Sequence, residues 1–268
     1  MWVTKMNLRN EQEMKTSHHL YESLDKPVVF AHRGASRYAP ENTLSSFRRA
    51  IEVGAKAIEM DVMLTKDKKI VVIHDVEVSR TTNGKGRVDE MEYDALKKLD
   101  AGGWFSNKFE GEKIPLLEEV LNEVGGDILI NIELKNYHSP NDDLASRVFD
   151  LVNHNNFDNS IFISSFLPRN LKIIHSLDPE LPFALLTLPG IKGFLFRSCF
   201  FKSVSPFFIH PSKEDVTKKM IAREHAQKRR VHTYTVNEPK QMQLFFEWGV
   251  DGIFTDDPIM ALEIKKNL

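Results

Sequence analysis

From Val28 onward, short β-rich runs alternate with helix-length segments, and no other property of this 268-residue chain narrows its fold as far. The strand candidates are Val28–His32, Ala57–Val62, Ile70–His74, Ile128–Lys135, Ile161–Phe166, Phe183–Leu188, Phe207–His210, Arg230–Val236 and Gly252–Phe254. Helix-length segments such as Thr43–Val53, Leu116–Val124, Leu144–His154, Asp215–Gln227 and Lys240–Trp248 lie between them. Gly54 and Gly249 stand where the first and last of these should stop. Strands that are apolar almost throughout belong to a parallel sheet covered on both faces. With this many strands a closed α/β barrel is favoured over an open doubly wound sheet, and one such barrel takes roughly 250 residues. The domain is expected over residues 27–268, preceded by a polar leader or short helix over 1–26.

Composition removes several classes. A formal net charge of -2 argues against broad attraction to nucleic acid. The single cysteine, Cys199, cannot build an internal disulfide framework, which favours a reducing, cytoplasmic setting. The N-terminal stretch has no apolar h-region, and no apolar run approaches the roughly 20 residues of a membrane span.

One connection departs from the alternation. Met63–Lys69 is too short for a parallel crossover, so Ile70–His74 is expected to return antiparallel from a turn near Asp67 and Lys68. That register sets His74 opposite Asp61, and a slip of one residue turns His74 to the other face. Residues 76–115 then read as a small insertion.

Strand alternation sorts the polar residues. Glu59 and Asp61 share one face, and Asn131, Glu133 and Lys135 share another, with apolar residues between them. His32 and Arg33 follow the first strand. In a barrel all of these converge on the C-terminal face. Two carboxylates ~4 Å apart repel by about 4 kcal/mol at an effective dielectric of about 20, so three need compensation. One divalent cation supplies it, and oxygen ligands favour a hard ion such as Mg²⁺ or Ca²⁺. The competing reading is a metal-free salt-bridge network of these carboxylates with Arg33 and Lys135. Two histidines beside a hard cation and two basic groups suit phosphoryl chemistry, since imidazole both takes and gives protons near neutral pH. His18, His19, His138, His154, His175 and His225 are read as surface residues.

Eight motifs occur in order: HRG (His32–Gly34), PENT (Pro40–Thr43), EMDV (Glu59–Val62), IHD (Ile73–Asp75), IELK (Ile132–Lys135), ISSF (Ile163–Phe166), TYTVN (Thr233–Asn237) and GIFTDDP (Gly252–Pro258). As a set they resemble the glycerophosphodiester phosphodiesterase family, from about Pro27 to the C-terminus. The resemblance implies an irregular (β/α)8 TIM barrel with a hairpin after the second strand and an insertion behind it. It implies hydrolysis of glycerophosphodiesters to sn-glycerol 3-phosphate and an alcohol. By position, His32 and His74 match the acid/base pair, Glu59, Asp61 and Glu133 the metal ligands, and Arg33 and Lys135 the phosphate-binding residues. Tyr234 stands where the family usually has tryptophan, as a ring face for the glycerol that also carries a hydroxyl. Asn42 is expected to cap the helix that begins at Thr43.

Two rival readings remain. Gly190–Ser212 has no acidic residue but carries Lys192, Arg197, Lys202 and several phenylalanines, which would suit a lysophospholipase D. Trp104, Phe105 and Phe109 of the insertion could also line an acyl track. A non-enzymatic glycerophosphodiester-binding protein is the other reading, and the intact catalytic set weighs against it.

Overall fold

The computed structural model describes residues 19–125, 128–154, 160–197 and 207–268. Most of the polar leader lies outside these residues, as do the His18 and His19 side chains, Cys199, Phe200, Phe201 and Lys202.

Among the described residues nine strands form one sheet: β1 (Val28–Ala31), β2 (Ala57–Leu64), β3 (Ile70–Val72), β4 (Leu129–Leu134), β5 (Ile161–Ser165), β6 (Phe183–Thr187), β7 (Phe208–Pro211), β8 (Arg230–Thr233) and β9 (Gly252–Thr255). All except β3 run parallel and close a barrel, because β1 pairs with both β2 and β9. This is the (β/α)8 barrel expected from the alternation. Outward side chains such as Ile58, Met60, Ile130, Ile132, Ile163, Leu185 and Ile253 form the main core with the helices. Inward side chains at the N-terminal end of the barrel are Val28, Phe30, Ala57, Leu129, Phe162, Phe208 and Phe254. Both faces are therefore apolar there, which explains why the strands read as nearly continuous hydrophobic runs.

Tyr21, from the helix His19–Ser23 within the stretch read as leader, closes that end of the barrel. Its ring meets Phe162 and Phe208 edge-on at centroid distances of 5.5 and 5.0 Å. Its hydroxyl lies 2.9 Å from His232 Nε2, and His232 Nδ1 lies 3.2 Å from His210 Nε2. Burial pulls His210 down to about 3 and His232 well below the ordinary imidazole range, so both sit neutral in the barrel.

Local signals end the helices where the residues suggest. Gly54 and Gly249 both take positive φ (88° and 83°), a region costly for residues with a Cβ. The cap of the helix Leu44–Glu52 is Thr43, whose side chain accepts from Ser46 N–H; Asn42 does not cap it. Asn42 instead has φ 57°, a left-handed conformation asparagine tolerates, and its side chain turns into the barrel.

The hairpin exists, but its register differs from expectation. Val62 pairs with Val72 and Leu64 with Ile70, so the turn centres on Asp67 and the Ile73 N–H bonds the Asp61 carbonyl. His74 is therefore one residue past the position opposite Asp61. It still reaches the barrel mouth because β3 ends at Val72, and beyond a strand end the two-residue alternation no longer dictates side-chain direction.

Residues 76–115 build a small core of their own. Val78, Val88, Leu96, Ala101 and Ile114 pack with Met63, Val71 and Ile73 beside the C-terminal end of β2. Phe105 meets Trp104 and Phe109 edge-on, and Trp104 is exposed. In Gly190–Ser212 a helix spans Ile191–Phe196, with Ile191, Phe194 and Leu195 exposed and Arg197 buried against Asp215. Among the described residues no helix is long and apolar enough to cross a membrane.

Candidate active site

Two adjacent strands deliver the acidic groups. Glu59 and Asp61 of β2 pair directly across to Asn131 and Glu133 of β4, which puts all four side chains on the inner face. One oxygen from each of Glu59, Asp61 and Glu133 falls within a cluster 4.8 Å across. All three are buried.

Two cations answer three carboxylates. Arg33 Nε lies 3.2 Å from Asp61 Oδ2, and Lys135 Nζ lies 3.7 Å from Asp61 Oδ1 and 3.1 Å from Glu133 Oε1. Burial alone would raise Asp61, but Lys135 and Arg33 outweigh it and hold it below the ordinary carboxylate range. Burial opposes the charge on Lys135 too, yet Glu133 and Asp61 keep its ammonium above the usual lysine value. Tyr137 donates to Glu133 Oε1 at 2.6 Å.

Glu59 is the group the salt bridges leave out. Its Oε2 accepts from Arg33 N–H at 2.9 Å, whereas its Oε1 is buried without a partner among the described residues. Burial, then Asp61 and Glu133, push its carboxyl well above the ordinary range. A network sufficient without metal would satisfy this oxygen, because an orphaned buried acceptor costs about 1–3 kcal/mol. An oxygen-only cluster holding one unsatisfied carboxylate fits a hard divalent ion.

The histidines flank this cluster, each oriented by an aspartate. His32 Nδ1 donates to Asp256 Oδ1 at 2.6 Å, leaving Nε2 3.9 Å from Glu59 Oε2. Asp256 also accepts from Asn237, and despite burial its hydrogen bond to His32 draws it down to about 2. On the other side, Lys135 has only donors, so its Nζ donates to His74 Nε2 at 2.9 Å. His74 then donates Nδ1–H to Asp75 Oδ1 at 2.5 Å. Burial pulls His74 below the ordinary imidazole value. Both rings thus aim Nε2 toward the space over the carboxylates.

Further groups hold these in place. Asn42 donates to Asp61 Oδ2 at 2.9 Å and accepts from the Asp61 backbone N–H at 3.2 Å. Arg80, from the insertion, donates to Asp75 and to both oxygens of Glu41, and Glu41 accepts from Arg33 at 2.7 Å. His74 and Arg33 are thereby tied together through Asp75, Arg80 and Glu41. Gly34 bends the chain between them and the helix Leu44–Glu52, with φ 82° and no room for a Cβ beside Ser46. Tyr234 donates to the Thr187 carbonyl at 2.9 Å, and its ring meets Phe166 edge-on at 5.9 Å. It shares a cavity of about 20 Å³ with His32, Glu59, Asn131, Glu133, Leu186 and Phe254.

Every residue singled out from the sequence for the site therefore lies in one cluster. The sequence reading missed the aspartates behind the two imidazoles, and it missed Tyr137 and Arg80; Glu41, in the PENT motif, is the loop anchor its position suggests. Two signals were available. Tyr137 continues the alternation of Glu133 and Lys135, and Asp75 directly follows His74.

Comparison with known proteins agrees with this geometry. The model of the glycerophosphoryl diester phosphodiesterase family matches residues 32–260. A glycerophosphodiester phosphodiesterase of Bacillus altitudinis is 38% identical over 246 residues, spanning 90% of this chain and 98% of that protein. An Oleispira antarctica phosphodiesterase, solved in complex with the product sn-glycerol-3-phosphate, superposes with a TM-score of 0.82 at 27% identity. That alignment covers 92% of this chain and 99% of the other. A glycerophosphodiester phosphodiesterase of Agrobacterium tumefaciens has a TM-score of 0.73 at 28% identity, over 88% of this chain and 99% of its own. The matched span opens on His32, runs to Met260 and encloses each of the site residues above, and on that basis the chain belongs to the glycerophosphoryl diester phosphodiesterase family.

Proposed function

We propose that this protein hydrolyses glycerophosphodiesters to sn-glycerol 3-phosphate and an alcohol, using one divalent cation, Mg²⁺ or Ca²⁺. The observation that carries the reading is the unsatisfied Glu59 oxygen inside a carboxylate triad flanked by two aspartate-oriented imidazoles. Three carboxylates against Arg33 and Lys135 leave one net negative charge; a divalent ion and a monoanionic phosphodiester together restore neutrality. Glu59, Asp61 and Glu133 would hold the ion, whose chemistry there is to polarise a phosphoryl oxygen and neutralise charge developing on it. A cytoplasmic location accords with the lone cysteine.

The chain's own residues supply the rest. Arg33 and Lys135 orient the phosphoryl oxygens. Nε2 of His32 and of His74 carry the proton traffic: one imidazole takes a proton from the attacking hydroxyl, the other gives one to the departing alcohol. Asp256 and Asp75 keep each Nδ1 protonated, so that Nε2 is the reacting nitrogen. Attack by the neighbouring glycerol hydroxyl and attack by water use these same groups. Tyr234 offers its ring face to the glycerol carbons.

The test is release of sn-glycerol 3-phosphate from glycerophosphocholine by purified protein, with and without Mg²⁺ or Ca²⁺. No turnover in either ion would overturn the reading. Lys135→Met is expected to raise the inhibition constant of sn-glycerol 3-phosphate about tenfold, the effect of losing about 1.4 kcal/mol of charge-assisted hydrogen bonding. An unchanged constant would make Lys135 a mere counterion of Glu133.

Lysolipid hydrolysis by the same chemistry is the second reading, and the exposed Ile191, Phe194 and Leu195 beyond β6 favour it. Against it, the cavity beside Glu133 and Tyr234 is too small for an acyl chain, at about 20 Å³. The expected result is a higher kcat/KM for glycerophosphocholine than for lysophosphatidylcholine. The reverse order would favour the lysolipid reading, and Phe194→Asp should then impair the lipid reaction alone.

A further inference from the structure

We propose that the groove between the insertion and the end of β4 receives the departing alcohol, and that Glu77 at its edge selects an alcohol bearing a positive charge. This rests on the phosphodiesterase activity proposed above. The groove, of about 470 Å³, begins at His74 and Lys135 and is walled by Met63, Val76 and Tyr137. That volume lies in the range of small-ligand sites, about 300–1,000 Å³. The cavity beside Tyr234, about 20 Å³, is far below that range. A diester whose phosphate is held at Lys135 therefore has room for its alcohol arm along Tyr137, in the groove. The alcohol oxygen then leaves beside His74, where a proton donor is needed.

The charges in this groove are nearly all committed. Lys135 is engaged by Glu133 and Asp61, and Asp75 by His74 and Arg80. Arg80 is also held by Glu41. The Tyr137 ring already faces a cation, since Lys135 Nζ lies 5.1 Å from its centroid, so it is not a free seat for an ammonium group. Glu77 is exposed and forms no ion pair among the described residues. Arg87, which bridges to Glu77 across an antiparallel pair, is bound to Asp89 at 2.7 Å and to Glu90 at 3.4 Å. His138 and Ser79 complete the polar rim. A carboxylate left over at the open end of a subsite attracts a cationic headgroup such as ethanolamine or choline and does nothing for a neutral one such as glycerol.

The experiment compares glycerophosphoethanolamine with glycerophosphoglycerol in the metal-loaded protein and three variants. Glu77→Gln is expected to raise KM for glycerophosphoethanolamine about threefold, the size of one partly exposed ion pair. Its KM for glycerophosphoglycerol and both kcat values should stay at wild-type level. Glu77→Lys should widen the difference to about tenfold, and Glu77→Asp should restore most of the preference. Ser79→Trp, which narrows the groove at an exposed position, should raise KM for both diesters and leave inhibition by sn-glycerol 3-phosphate unchanged. Equal effects of Glu77→Gln and Glu77→Lys on the two diesters, or none, would overturn the subsite while the activity stands. Failure of the wild-type protein to release sn-glycerol 3-phosphate from either diester would overturn the activity itself, and the subsite with it.

Discussion

Glu59→Gln combined with Asp61→Asn is expected to lower kcat by at least ~10³, because several kcal/mol of charge stabilisation disappear when the cation is no longer held. Exhaustive chelation of the wild-type protein should have the same effect, and added Mg²⁺ or Ca²⁺ should restore the wild type but not the variant. Full turnover after chelation, or in the double variant, would sink the metal assignment. Stability offers an independent readout. Without metal, the Glu59 carboxyl titrates above its unfolded value because of burial, Asp61 and Glu133. A carboxyl with a raised folded pKa favours the folded state only below that pKa, and its ionisation costs stability as pH rises beyond the unfolded value. In chelator at neutral pH, Glu59→Gln alone should therefore melt at or above the wild-type temperature even though it is inactive. Calorimetry with and without metal checks both signs: the ion should raise Tm in the wild type and much less in the variant.

His32→Ala and His74→Ala should each lower kcat by ~10² or more in correctly folded protein. The double variant should lose far less than the product of the two, since the groups act on one proton circuit. Both rings are held at Nδ1 by an aspartate, and neither is needed to fill the barrel core. Circular dichroism and Tm should therefore change little, which separates catalysis from folding. Near-wild-type turnover in either single variant removes that histidine from the mechanism.

Much of this site could be read from local pattern. Glu59 and Asp61 are two apart on one strand, as are Glu133 and Lys135 near the end of another, and alternation alone places each pair on a common face. The aspartate behind His32 could not be read that way. Asp256 stands 224 residues from it in sequence, and they meet because closing the barrel sets β1 beside β9. By residue type and position Asn42 suits a helix cap. Its left-handed backbone, set by the turn after Pro40, instead directs the amide to Asp61. The β2–β3 register was missed by one residue because a turn centred on Asp67 and one centred between Asp67 and Lys68 present nearly the same residues.

By itself, then, the order of residues determined the parallel barrel, the hairpin, and the identity of the carboxylates, cations and imidazoles at its mouth. These follow from periodicities of two and 3.6 residues and from side-chain chemistry, which act over short stretches of chain. Only the tertiary structure decided how those groups are partnered. It left Glu59 with an unsatisfied oxygen, oriented both imidazoles, linked His74 to Arg33 through the insertion, and set Tyr21 into the base of the barrel. Each of these depends on which distant strand ends and loops come together, and chain closure governs that, whereas local periodicity carries no record of it.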